Sequence, residues 1–191
     1  ADTQVRLSAT ADQLLWFPAL VTGGVYGGDW DADGRGSASV IATATAQLSL
    51  AELTVRDAGK HGIAGYRGAK LSLDRVTATT SRVDGVHLEA SQLTADALTA
   101  TNNRRNGVQL SSGSTASITD SVLDANGQAV TGSTTGKTGH GLGLSSATAW
   151  VSGTSLSSNK VCGVSTTGKS RLSLATAHVD RNGRHGLGSA A

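Results

Sequence analysis

Residues 71–90 read LSLDRVTATTSRVDGVHLEA. Apolar residues alternate here in short bursts: Leu71 and Leu73, Val76 and Ala78, then Val86 and Leu88 beyond Gly85. Alternation over three or four residues is the period of a half-buried strand, and polar or glycine residues after each burst turn the chain. The stretch therefore predicts three short strands separated by bends. Strands this short bury no face alone, so they need copies of themselves stacked in register.

The copies are present. LSLAELTVRDAGKHGI begins at Leu48, LTADALTATNNRRNGV at Leu93, ASITDSVLDANGQ at Ala116, AWVSGTSLSSNKVCGV at Ala149 and LSLATAHVDRNGRHGL at Leu172. Counting Leu71, successive copies step by 23, 22, 23, 33 and 23 residues, the long step containing an insertion of about ten residues within 128–140. Helical repeats run longer and follow a 3.6-residue period, and neither feature occurs here. Two columns support stacking. A glycine recurs at Gly62, Gly85, Gly107, Gly141, Gly163 and Gly186, expected to bend the chain into the next strand. Asn103, Asn126, Asn159 and Asn182 recur at one turn, expected to form a structural amide ladder and to take the left-handed conformation.

Composition agrees with thin stacked layers. Ala, Gly, Ser and Thr supply 98 of the 191 residues, aromatics only 3% and charged residues 16%. Low charge and a single Pro argue against disorder, and the shortage of aromatic residues against a core of large side chains. No apolar run reaches the length of a transmembrane helix. A net charge of +2 is too weak to point to nucleic acid, and the single Cys162 closes no internal disulfide.

The repeat, with its apolar pair, Asn turn and Gly-apolar strand start, resembles the right-handed parallel β-helix superfamily of pectate-lyase-like proteins over 23–188. The resemblance implies an all-β, right-handed solenoid of about six to seven rungs at 23–191, behind an N-terminal capping segment at 1–22 that contains Trp16, Phe17 and Pro18. The C-terminal GLGSAA breaks off as a rung begins, so a longer chain or another surface is expected to cover that end. The superfamily includes lyases, hydrolases, epimerases and non-catalytic surface proteins, so fold alone assigns no function.

Several residue sets are candidates for chemistry. Asp29, Asp31 and Asp33 before Gly34 reproduce the opening of a calcium loop, although Val40 stands where a bidentate Glu belongs. Calcium there would pin the N-terminal end; otherwise the loop is a polar surface segment. Lys60, Arg82, Arg104, Arg105, Lys160 and Arg184 follow the Asn column and predict a basic ridge suited to an acidic polysaccharide, or else serve solubility. Asp57 and Asp84 partly offset that ridge. On the groove beside the Gly-apolar strands, only Tyr66, His87 and Glu89 resemble an acid/base cluster. His61, His140 and His185 fall immediately before the recurring glycine with Cys162 in the same column, and His140, Cys162 and His185 would hold a soft metal only if they converged. GVSTTGKS at 163–170 matches a phosphate-binding loop in letters, but it lies on the recurring strand start, so no nucleotide is expected.

The leading expectation is a non-catalytic, secreted or cell-surface module with a structural or adhesive role, binding polysaccharide or another surface protein. The alternative is a carbohydrate-active enzyme, a polysaccharide lyase, hydrolase or epimerase working in the groove.

Overall fold

The computed structural model describes residues 19–22, 38–43, 46–127 and 138–190. Most of the capping segment, the Asp29, Asp31 and Asp33 loop and the body of the insertion lie outside the described residues. Within them every strand pairs in parallel, and no helix occurs.

Each rung contributes to three sheets. One contains β2 (Ala38–Thr43), β5 (His61–Tyr66), β8 (Val86–Glu89), β11 (Val108–Ser111), β13 (Leu142–Ser145), β15 (Cys162–Thr167) and β17 (His185–Ala190). A second stacks β3 (Gln47–Ala51), β6 (Lys70–Asp74), β9 (Gln92–Asp96), β12 (Thr115–Thr119), β14 (Thr148–Ser152) and β16 (Arg171–Ala175). The third stacks β1 (Ala19–Thr22), β4 (Leu53–Arg56), β7 (Thr77–Thr79) and β10 (Thr99–Thr101), then dwindles to single bridges at Val122, Ser155 and His178. Register follows the repeat: Leu48 pairs with Leu71, Leu71 with Leu93, Leu93 with Ala116, Ala116 with Ala149 and Ala149 with Leu172. The side chains from Leu48 to Ala149, with the Ile63, Val86, Val108, Leu142 and Val164 column opposite, form one buried core, against which Leu172 packs only partly buried.

Corners require the rarer backbone conformation. Glu52, Arg75, Ala97, Asp120, Gly153 and Thr176 stack at one corner with positive φ, and Asp57, Thr80, Asn102, Ala125, Ser158 and Arg181 stack at another. The second column corrects the sequence expectation: the left-handed residue is the one before each ladder asparagine. Freed from turning the chain, the asparagines bond along the axis. Asn103 Nδ2 donates to Asn126 Oδ1 and Asn126 Nδ2 to Asn159 Oδ1, each at 3.1 Å. Each Oδ1 also accepts the backbone N–H of the preceding rung, from Ser81 to Asn103 and onward to Asn182. The Nδ2 groups also donate to the carbonyls of Ala78, Ala100, Leu123 and Leu156.

The recurrent glycines are likewise not left-handed. They are required by proximity. A Cβ on Gly85 would lie 2.6 Å from Asn103 Nδ2, and one on Gly107 would lie 2.7 Å from the Gly141 carbonyl and 2.8 Å from Asn126 Nδ2. The glycine column makes room for the ladder.

Asn126→Ala removes the acceptor of the Asn103 N–H and the donor to Ala100 in a buried site, and should cost on the order of 3 kcal/mol. Gly107→Ala should cost about 1–3 kcal/mol through overpacking. Urea denaturation of the full chain measures both, and losses under about 0.5 kcal/mol would contradict the coupling of ladder and glycine column.

Candidate functional site

The strand starts of β5 and β8 and the outward side of the sheet they belong to supply the site. Ala64 pairs with His87 and Tyr66 with Glu89, so His87 and Glu89 share a face with Tyr66 one rung away. Gln109 and Ser111 continue those two columns on β11. Beyond them come Gly143, Ser145, Ser165 and Thr167, which carry no ionisable group. Ionisable chemistry on this face is thus concentrated on β5 and β8, where a cavity of about 380 Å³ opens.

Two residues that the sequence reading treated separately complete the cluster. Asp84, expected to offset the basic ridge at the surface, is fully buried: each rung places the residue before the glycine against its neighbour, and Asp84 falls in that column beside His61. Its Oδ1 accepts the Asn106 N–H at 3.1 Å. Its Oδ2 lies 3.0 Å from His87 Nδ1 and 3.2 Å from His61 Nδ1. The first contact is a hydrogen bond. The second is short but off the line of an N–H bond, so His61 Nδ1, shut away from water, has no hydrogen-bond partner. The imidazoles stack with ring centres 4.2 Å apart, and Tyr66 tilts against His87 at 5.9 Å.

Asn106 connects this cluster to the end of the insertion. Its Oδ1 accepts the N–H groups of Gly139 and His140 at 3.1 and 3.0 Å, and Thr138 stands in the cavity wall. The carboxylate is therefore held from behind by the Asn106 backbone, whose side chain is in turn held by backbone of the next rung. Burial pushes the His61 imidazole below its ordinary value, against the opposing pull of Asp84. For Asp84 burial alone would raise the carboxyl, but hydrogen bonding and charge from the imidazoles outweigh it and hold it below the usual carboxylate range. Both imidazoles contribute to that direction, His61 at 3.2 Å and His87 at 3.0 Å from the same oxygen. A proton on His87 Nδ1, fixed by Asp84, leaves the lone pair on Nε2, the tautomer a general base requires. Equally, His61, Asp84 and His87 present three donor atoms within 4.8 Å of one another, the set able to hold a metal ion among the described residues.

The other candidate residues are dispersed. Arg82, Arg104 and Lys160 are exposed members of one column, with Gly127 between Arg104 and Lys160 and with Gly59 and Gly183 at its two ends. Lys60, Arg105 and Arg184 share the next column with Val83, Gly139 and Val161. The ridge is consequently interrupted on every second rung or so, and its useful members are Lys60 and Arg105, which flank the cavity. His140 and Cys162 are buried in their column whereas His185 is exposed, and burial pushes the Cys162 thiol upward. The segment 163–167 is strand β15, paired on both sides and followed by β16, so it has no helix to present to a phosphate. Asp84 and His61 were legible only as members of the column preceding the glycines; nothing in their spacing to His87 marks a cluster.

Three parallel sheets wound around one core, with a cleft beside the glycine-led strands, define a parallel β-solenoid of the pectate-lyase type. The chain belongs to the right-handed β-helix region family, whose model matches residues 33–171. A solved structure of pectate lyase Pel9A is similar over 71% of this chain and 41% of that chain, with a TM-score of 0.54 and 13% sequence identity. No curated protein matches the chain significantly.

With a chelator present, stability should fall on acidification in two stages. His61 has a folded value below its unfolded one, so the unfolded chain takes up the proton first and stability declines below about pH 6.5. The Asp84 contribution is present above its unfolded value, ordinarily near 4, and is lost as pH falls toward its lower folded value. In His61→Gln the decline between about pH 6.5 and 5 should flatten, read from urea midpoints across pH; an unchanged slope would assign that decline elsewhere.

Proposed function

We propose that the protein is a secreted or cell-surface carbohydrate-active enzyme that transfers a proton at the carbon bearing the carboxylate of a uronic sugar in an acidic polysaccharide. The observation that carries this reading is the convergence of Tyr66, His87 and Glu89 on one cavity, flanked by Lys60 and Arg105, on a face whose later strands present the uncharged Gln109, Ser111, Gly143, Ser145, Ser165 and Thr167. Cationic side chains at the rim suit a polymer with a carboxylate on each sugar, and they favour the charge that develops when the neighbouring carbon loses its proton.

The residues divide the work by position. His87, oriented by Asp84, takes the ring proton, and Tyr66 or Glu89 supplies a proton where one is needed. In elimination, the C–H electron pair forms the new C=C bond, the glycosidic C–O bond to the neighbouring carbon breaks, and the leaving oxygen takes the proton. In epimerisation a proton returns to the same carbon from the opposite face. Both balance with no added oxidant, reductant or water. Hydrolysis fits less well: it commonly uses a pair of carboxyl groups across the scissile bond, and Asp84, the second carboxylate here, is fully buried and engaged on both oxygens. The calcium expected of the acidic loop at Asp29, Asp31 and Asp33 has no role in this proposal.

The test is turnover of acidic and neutral polysaccharides, with unsaturated ends detected by ultraviolet absorbance and epimerisation by solvent deuterium incorporation. Activity confined to acidic polymers is expected, with a drop of about 10²–10⁴-fold in His87→Ala and of similar order in Tyr66→Phe. Binding of the same polymers without turnover would instead support the non-catalytic module. Retention of full activity in His87→Ala would remove this site from the chemistry.

A further inference from the structure

The buried cluster beneath the cavity contains more than orienting a base requires. One carboxylate suffices to fix the tautomer of His87, yet a second imidazole, 5% exposed, is packed against the same oxygen with its Nδ1 unsatisfied. A buried polar atom without a partner costs on the order of 1–3 kcal/mol, and buried charges are ordinarily paired or bound to metal. The separations of 3.0 and 3.2 Å from Asp84 Oδ2 to the two nitrogens match the spacing of roughly 3.0–3.4 Å that bonds of about 2.1 Å impose on neighbouring ligands of a four- to six-coordinate ion.

We propose that His61 Nδ1, His87 Nδ1 and Asp84 Oδ2 bind one divalent first-row transition-metal ion whose remaining coordination positions open into the cavity. Two imidazoles and one carboxylate suit zinc, cobalt or a related ion; calcium prefers a shell of oxygens. The other carboxylate oxygen is tied to the Asn106 N–H, and Asn106 is itself held by Gly139 and His140, which is the supporting layer that fixes a ligating carboxylate. Loading requires the stacked rings, inclined at 29° to one another, to turn so that both lone pairs meet at the ion. With the ion on His87 Nδ1 the ring proton resides on Nε2, so His87 acts as the base of the proposed reaction only in the ion-free protein, and loading is expected to suppress turnover. Resting on the polysaccharide reading are only that suppression and the further step that a uronate carboxylate fills an open position; the ion site itself stands apart from it.

The experiment uses the full chain, stripped with chelator and titrated with Co2+ and then Zn2+. One equivalent of Co2+ should give visible d–d bands, Zn2+ should displace it, and the thermal midpoint should rise with either ion. His61→Gln and His87→Gln, each shown to be folded by circular dichroism, should weaken binding by 100-fold or more and abolish the thermal shift. No saturable Co2+ site in the folded protein overturns the proposal. So does undiminished affinity in both variants, which would put the ion elsewhere, the loop at Asp29, Asp31 and Asp33 included. Polysaccharide turnover is scored separately: turnover by stripped protein that binds no Co2+ overturns the ion site alone, while one equivalent bound at these residues supports it even where turnover is absent.

Discussion

The close passage of an asparagine side chain against the glycine of the preceding turn is the contact on which the rest of the solenoid depends. Asn103 lies over Gly85 and Asn126 over Gly107 so tightly that a single methyl group would collide with the amide. The amide in return satisfies backbone groups at the turn, where the third sheet has thinned to isolated bridges and supplies few ladder bonds of its own. Buried backbone groups must be paired somewhere. Here the side-chain ladder replaces part of a sheet.

That turn also fixes the chemistry. Its rigid exit sets the position immediately before each glycine, and the side chains there stack from rung to rung: His61, Asp84, Asn106, His140. In most folds a charged residue so placed would be expelled to solvent. Asp84 is retained because Asn106 supports it from the next rung and two imidazoles face it. The site is therefore an elaboration of a structural column, open to the cavity through His87 on the neighbouring outward column. The unsatisfied nitrogen of His61 shows where the elaboration exceeds what packing alone requires.

Among the described residues, the rung near Leu187 shows the opposite condition. β16 and β17 pair on one side only, Leu187 is 59% exposed, and Leu172, Leu174, Ala177 and Val179 are only partly buried. Rungs gain their burial from both neighbours, so a rung with one neighbour is less completely packed. The cluster at His61, Asp84 and His87 lies well inside the stack, where neighbouring rungs on both sides hold it in place.

The sequence by itself determined the rung. Its period of 22 to 23 residues, the alternation within LSLDRVTATT, the glycine column and the four asparagines from Asn103 to Asn182 were enough to establish parallel stacking and register, because each depends on residues a fixed distance apart along the chain. Handedness came from family resemblance. Tyr66, His87 and Glu89 were also legible, since outward positions follow from the two-residue period of a strand. Only the tertiary structure decided that Asp84 is buried, that the two imidazoles share one of its oxygens and that Lys60 and Arg105, two rungs apart, flank the same cavity. It also moved the left-handed backbone to the residue before each ladder asparagine. The physical reason is common to these cases: they depend on how closely one turn approaches the next and on the angle at which side chains leave it, quantities that linear spacing does not encode.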